Sequence, residues 1–297
     1  MVNLINLLKN IGKRRNIFQA SFAFLTNLHI PNFLKGTIYT GKTKSLCVPG
    51  LNCYSCPGAA FSCPIGSFQA IVGSSKFNFA YYVTGLMLLF GTLFGRLICG
   101  FMCPFGFFQD LLYKIPTKKF STRKFAFLKY FKYLVLIFVV WLFGIFLTDE
   151  LGGASPYFCQ YICPQGILEG GIPLSLANKS IRAALGNLFK LKFTILLLVI
   201  LLSIFFYRPF CKYLCPLGAF YAISNKFSFY KYHVDDKCIS CGKCKRVCKM
   251  DVDMSKNQNA LECIRCGDCM RACPTSAIST SINKNSIDEG VSYEKNI

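Results

Sequence analysis

Eighteen of the 297 residues are cysteine, and their spacing is where chemistry could begin. Near the C-terminus, CISCGKCKRVC (Cys238 to Cys248) and CIRCGDCMRAC (Cys263 to Cys273) each read C-x2-C-x2-C-x3-C. In that spacing three close thiolates hold one [4Fe-4S] cube and the fourth cysteine reaches across to another. The expected ligands are Cys238, Cys241, Cys244 and Cys273 for one cube, and Cys263, Cys266, Cys269 and Cys248 for the second. Gly242 and Gly267 suit a tight wrap in which a side chain would crowd the inorganic sulfurs. Zinc favours two separated pairs, a poor match to two successive triplets. Lys249 stands where the first run would usually have proline, and every ligand remains.

A second pattern occurs four times, as CPIG at Cys63, CPFG at Cys103, CPQG at Cys163 and CPLG at Cys215. In three copies a further cysteine, Cys99, Cys159 or Cys211, stands four residues earlier. Proline opens helices readily, which alone would explain helix punctuation but not the cysteine before it each time. After Cys103 and Cys215 the proline predicts a helix whose free N–H groups and positive dipole end face the cysteine and its anionic thiolate-bound cluster. Gly106 and Gly218 would let the backbone come close. Cys99, Cys103, Cys211 and Cys215 together supply four thiolates, enough for a third cube shared between two halves of the chain.

Cys47, Cys53, Cys56, Cys63, Cys159 and Cys163 compete for four positions at a fourth site. Cys159 and Cys163 would meet Cys63 and either Cys53 or Cys56, because Ala59 stands where a C-x3-C pair needs its first member. Alternatively Cys47, Cys53, Cys56 and Cys63 form a set of their own, and disulfides are open to these six on an oxidising side. Only His29 and His233 exist, and no CxxCH occurs, which argues against haem. There is no P-loop, GxGxxG or hydrolase arrangement. Asp149, Glu150 and Glu169 could handle protons for a quinone, although acids at a helix exit are more often solvated. Gln19, Gln69 and Gln109 stand out by recurrence alone.

These residues must be positioned by apolar elements. The sequence is 53% hydrophobic with a mean hydropathy of +0.42, too apolar for an ordinary soluble fold. Three stretches, Asn78 to Ile98, Lys129 to Thr148 and Leu188 to Tyr207, predict membrane helices, and Ile17 to Phe33, shorter and holding Asn27, His29 and Pro31, predicts a fourth span with its polar residues at the interface, or else a re-entrant segment. The formal charge of +21 lies in Lys and Arg flanking these stretches, as for positive-inside anchoring rather than nucleic-acid binding. No signal peptide is apparent, and Lys13, Arg14 and Arg15 lead into an anchor. The charge bias puts the N-terminus, 99–128 and the region after Arg208 in the cytoplasm, although 34–77, placed outside, carries four lysines and no acid. The cysteines then fall at both faces of the bilayer, and the core reads as two pseudo-repeats. The expected fold is an α-helical integral membrane protein of about four spans (1–233) with a C-terminal α+β two-cluster ferredoxin domain (234–282) and a flexible tail (283–297).

The basic-then-Gln entry RRNIFQ (Arg14 to Gln19), CGFMCP (Cys99 to Pro104), CKYLCP (Cys211 to Pro216) and the ferredoxin-type tail make the chain resemble the membrane polyferredoxins of the NapH/NosR/CcoG-like 4Fe-4S binding family. The resemblance covers almost the whole chain and implies membrane-associated electron transfer through iron-sulfur centres. The pair Cys159/Cys163 and the front stretch from Cys47 to Cys63 exceed the simplest family pattern, and no S/T-G-A-T flavin site occurs. The leading expectation is electron transfer from cytoplasmic redox proteins to a membrane or extracytoplasmic acceptor, in the lipid bilayer of the cytoplasmic (inner) membrane and with no nucleic acid involved. A quinol dehydrogenase subunit drawing on the quinone pool and a redox assembly or metal-reduction factor are the alternatives.

Overall fold

A computed structural model of the protein describes residues 14–72, 80–146 and 155–281. Lys13, Asp149, Glu150 and the expected tail 283–297 lie outside the described residues. The chain begins with α1 (Arg15–Thr26), α2 (Pro64–Val72) and α3 (Ala80–Phe94), followed by the short α4 (Leu97–Phe101) and α5 (Pro104–Tyr113). The long α6 (Arg123–Phe146) enters as a 3-10 turn and is π-helical through Val135–Leu142. Short helical pieces, including Phe158–Ile162 and Pro164–Gly166, lead to α7 (Asn187–Phe205), α8 (Pro209–Tyr213) and α9 (Pro216–Ser224).

Among the described residues, α6 and α7 are long and apolar enough to cross a membrane. At 1.5 Å per residue they reach roughly 36 and 28 Å, against a hydrocarbon core of about 30 Å. Their apolar side chains turn outward: Ile137, Phe138 and Trp141 on α6, and Leu197, Leu198 and Leu201 on α7, are each about half exposed. A core helix of a water-soluble protein would bury such a face.

The other two expected spans are shorter. α1, 12 residues long, covers only 17–26 of the Ile17 to Phe33 stretch and stops at Asn27, whose N–H turns back to the Phe24 carbonyl. Its buried Gln19 faces Asp110 rather than lipid, and Pro31 begins a separate five-residue helix. α3 has 15 residues and closes at Gly95, which takes φ +56°. Two helices of spanning length, not four, are therefore found among the described residues.

The expected repeat is visible as a shared plan. α3 passes through left-handed Gly95 into the five-residue α4, which carries Cys99, and α5 starts at Pro104. α7 passes through left-handed Arg208 into the five-residue α8, which carries Cys211, and α9 starts at Pro216. α5 packs along α7 and α9 along α3, so each half lays its cysteine-led helix on the helix that leads into the other's cysteine pair.

In the C-terminal segment, β1 (Tyr232–Val234) pairs antiparallel with β2 (Ile278–Thr280), with Tyr232 opposite Thr280. Between them lie α10 (Lys243–Val247) and α11 (Asp268–Ala272), each one turn and a half long. Elements this short bury little, and the apolar residues present (Met250, Val252, Ile264, Ile278) gather around the cysteines.

Candidate metal centres

The two C-terminal cysteine runs fold as copies of one loop. Ser240 and Arg265, inside each first C-x2-C, take φ +50° and +52°, and Gly242 and Gly267 follow at +69° and +83°. No heavy atom lies within 4 Å of where a Cβ on Gly242 would stand, so within the protein it is left-handed backbone, not crowding, that calls for glycine here. Asp251 and Ser276, each three residues past the fourth cysteine, are again left-handed. The loop with Lys249 thus makes the same turn as the loop with Pro274. Cys238, Cys241, Cys244 and Cys273 line one small cavity, and Cys248, Cys263, Cys266 and Cys269 line a second. Cys244 lines both. Burial pushes the Cys263 thiol up to about 11 and the Cys266 thiol to about 12, so a bound metal is needed to draw them into the thiolate form at neutral pH.

Cys99, Cys103, Cys211 and Cys215 line a third cavity, with Gly218, Leu217 and Pro49 to Leu51 in its wall. The sulfurs of Cys103 and Cys215 accept the N–H groups of Gly106 and Gly218 at 3.4 and 3.3 Å, with Pro104 and Pro216 in the first helical turn. A Cβ at Gly106 would stand 3.1 Å from the Cys99 carbonyl, so glycine permits that approach.

Cys53, Cys63, Cys159 and Cys163 line a fourth, larger cavity together with Lys42, Lys44 and Lys192. Cys63 and Cys163 likewise stand directly before a helix that opens with proline, Pro64 and Pro164. Cβ atoms at Gly66 and Gly166 would lie 3.6 Å from Cys159 Sγ and 3.8 Å from Cys53 Sγ. Cys47 and Cys56 do not line it: Cys47 Sγ lies against Ser67 Oγ at 3.4 Å, and Cys56 Sγ against Asn27 Oδ1 at 3.5 Å. Glu169 accepts the Cys53 N–H at 3.1 Å; burial lifts its carboxyl to about 7 against the pull of that bond and of Gln165. No disulfide joins any of the eighteen cysteines.

Two residue types missed in the sequence complete this geometry. Gln109 Nε2 donates to Cys211 Sγ at 3.1 Å, and Gln69 Nε2 donates to Cys159 Sγ at 3.4 Å, each bridging from one C-P-x-G helix to the first cysteine of the opposite pair. Arg96 and Arg208, each three residues before a cysteine, cross in the same way. Arg96 Nη2 reaches the Cys211 carbonyl at 3.2 Å and Arg208 Nη1 reaches that of Cys99. Both arginines are fully buried; Glu262 pairs with Arg96 at 2.5 Å and Asp110 with Arg208 at 2.6 Å. The recurrence of Gln69 and Gln109 was the available signal, and R-x2-C-x3-C-P-x-G was a second.

Neighbouring cavities share walls. A Cβ at Gly100 would stand 2.6 Å from the Ile264 carbonyl, so α4 presses directly on the Cys263 to Cys266 loop. Asn225 ties that contact, accepting from the Arg96 N–H and donating to the carbonyls of Ala260 and Cys263. Lys212 pairs with Asp251 at 2.9 Å. On the other side Leu51 lines both the third and fourth cavities. Its N–H faces Cys103 Sγ and the next, of Asn52, faces Cys63 Sγ. The two sites expected at opposite membrane faces are thus one dipeptide apart.

Four sets of four thiols suit [4Fe-4S] cubes, which take soft sulfur ligands. Among the described residues no three His, Cys, Asp or Glu side chains close on a point where a single ion would sit. A family model for a 4Fe-4S binding domain matches residues 79–123, 131–172 and 192–231, and a second of the same description matches 258–279. An uncharacterized protein of Methanocaldococcus jannaschii is 31% identical over 175 residues, covering 57% of this chain and 65% of that one. The methylamine utilization ferredoxin-type protein MauN of Paracoccus denitrificans is 28% identical over 182 residues (60% and 54%). The putative electron transport protein YccM of Escherichia coli is 23% identical over 184 residues (57% and 45%). The chain thus spans less than two thirds of the length of these relatives. No solved structure matches it.

Proposed function

We propose that this 4Fe-4S ferredoxin-type electron carrier moves electrons along a line of four thiol cages set against and within a membrane. The observation that supports the reading best is contiguity: Cys244 belongs to the walls of the first two cages, Gly100 meets Ile264 between the second and third, and Leu51 belongs to the third and fourth. The ligand sets are those expected from the sequence for the first three cages, with Cys53, Cys63, Cys159 and Cys163 for the fourth. A [4Fe-4S] cube in each set supplies a one-electron couple.

The protein's own groups set up the path. Gly106, Gly218, Gln69 and Gln109 direct N–H groups at ligating sulfurs, which favours the more reduced, more negative state of a centre. Arg96 and Arg208 hold the two halves of the third cage to each other through backbone carbonyls, while their carboxylate partners cancel most of their charge. α6 and α7 anchor the assembly in lipid, with the C-terminal segment in the cytoplasm to meet a soluble low-potential carrier.

Replacing Cys103 and Cys215 together with serine tests the shared third cage. The variant is expected to lose one cube's iron, to keep the ferredoxin-type EPR signals of the C-terminal pair, and to stop electron passage across a liposome membrane. Full iron content with unchanged passage would overturn the proposal.

A further inference from the structure

We infer that Arg265 sets the potential of the second cage: it is a buried, fixed positive charge that keeps a cube there easier to reduce than burial alone would leave it. The inference rests on the reading that Cys248, Cys263, Cys266 and Cys269 ligate a cube, and it names what separates that centre from its neighbour.

The two C-terminal loops are copies, and this position is where they diverge. Ser240 and Arg265 both stand inside the first C-x2-C of their runs, at φ +50° and +52°. Ser240 is exposed, whereas Arg265 is 3% exposed and turns its side chain into the helical part. Arg265 Nη1 donates to the Phe94 carbonyl, at the end of α3, at 2.9 Å. Nη2 donates to the Asn225 carbonyl at 3.0 Å and to Ser228 Oγ at 2.7 Å, just past α9. Tyr232, which lines the second cavity, donates its hydroxyl to the Arg265 carbonyl at 2.8 Å. Backbone and side chain are both held, so the charge has no path out to water.

All three acceptors of the guanidinium are neutral. Arg96, Lys132, Arg208 and Lys212 are buried as well, and each has a carboxylate within 2.9 Å. Arg265 has none among the described residues, and Asp268, in the wall of the second cavity, is taken by Arg271. A buried guanidinium without an anion is costly. The anion that answers it is the centre whose ligands Cys263 and Cys266 flank it in the chain, because four thiolates leave a [4Fe-4S] centre negative in both of its states. Burial pushes the Cys263 thiol up, and the Arg265 charge pulls against it.

Reduction adds an electron to an already negative centre, which dry surroundings disfavour and a nearby fixed cation favours. Cys263 and Cys269 are 8% and 9% exposed, whereas Cys241, of the first set, is the one exposed cysteine of the eighteen. Burial alone would therefore make the second centre the harder of the pair to reduce. Lys243, in the wall of the first cavity, is exposed, where water and salt screen it. Arg265 offsets the burial of the second centre, so that the first can be oxidised by one electron and the second reduced by one, with no bond made or broken.

The test is an EPR-monitored redox titration of the full chain, purified anaerobically in detergent, with iron measured throughout and Cys241→Ser used to assign the first centre's signal. In Arg265→Gln, reduction of the second centre is expected to weaken at least tenfold, a fall of about 59 mV for one electron, while the first centre stays in place. Arg265→Lys, which keeps the charge, is expected to stay near the parent value. Ser228→Asp and Ser228→Asn, equal in size, read the charge with the arginine still present, and Ser228→Asp is expected to titrate lower. An unmoved second centre would overturn the inference. An equal fall in both centres, or Arg265→Lys falling as far as Arg265→Gln, would overturn it too, by showing a structural loss in place of an electrostatic one. Should Arg265→Gln shed the second cube's iron, the Ser228 pair decides, and equal potentials there overturn it. Any of these failures with electron passage intact leaves the proposed function standing, whereas absence of a second centre from the parent protein would sink both.

Discussion

Gln109 shows what a single side chain contributes. An N–H aimed at a ligating sulfur stabilises the reduced centre more than the oxidised one, and a hydrogen bond to a charged group is worth about 1.5–3 kcal/mol, of which only the difference between states counts. Gln109→Leu keeps much of the volume and removes the donor. The third centre is expected to fall in potential by roughly 20–60 mV in an EPR-monitored redox titration, taking about 59 mV per tenfold for one electron. An unmoved potential would show the contact to be idle. Neither this role nor that of Arg96 could be read from the sequence, because Cys211 lies 102 residues from Gln109 and its carbonyl 115 residues from Arg96. The C-terminal cysteine runs were legible because three thiols of each set sit within seven residues and the chain between them has one way to turn. Cys53 and Cys56 could not be told apart by spacing; what separates them is that Asn27, at the end of α1, takes Cys56 aside.

At the scale of elements, α4 meets the loop from Cys263 to Cys266 at a close backbone contact between the helical part and the C-terminal segment. Gly100→Ala puts a methyl carbon 2.6 Å from the Ile264 carbonyl, backbone against backbone, where no side chain can yield. The expected cost is about 1–3 kcal/mol. Hydrogen exchange is expected to quicken over residues 258–273 while iron content stays at the parent level; unchanged protection would mean that the two parts do not rely on this contact. Helix existence was legible from apolar run length, and the ends of α7 fell within two residues of expectation. The Ile17 to Phe33 stretch falls short of a span because its helix stops at Asn27, before His29 and Pro31, and because Gln19 meets Asp110, a partner 91 residues away that spacing could not supply.

At the scale of the molecule, the C-terminal segment has two five-residue helices and two three-residue strands, too little apolar burial to hold itself together without its cubes. Anaerobic iron chelation of the full chain is expected to abolish protection in residues 234–281 and leave α6 and α7 helical, as read by hydrogen exchange and far-ultraviolet circular dichroism. A segment that stays protected without iron would refute this. That the third and fourth cages adjoin was beyond sequence reasoning, since a topology drawn from charge alone separates them by a bilayer, whereas the stretch from Pro49 to Asn52 folds back between them.

Glu262 gives this dependence a further reach. It precedes Cys263 and is the carboxylate for both Arg96 and Lys132, each 0% exposed, the second at 2.6 Å. Where the C-terminal segment is not held by its iron, that carboxylate is expected to lose its fixed place, leaving two buried cations on the helical part with no carboxylate beside them. Removing one partner of a buried pair costs about 3–5 kcal/mol, a large share of a domain's stability of about 5–15 kcal/mol. Iron loading is therefore expected to close the seam between the two parts: the full chain stripped of iron is expected to be cut there by an added protease faster than the loaded chain, and equal rates would refute this.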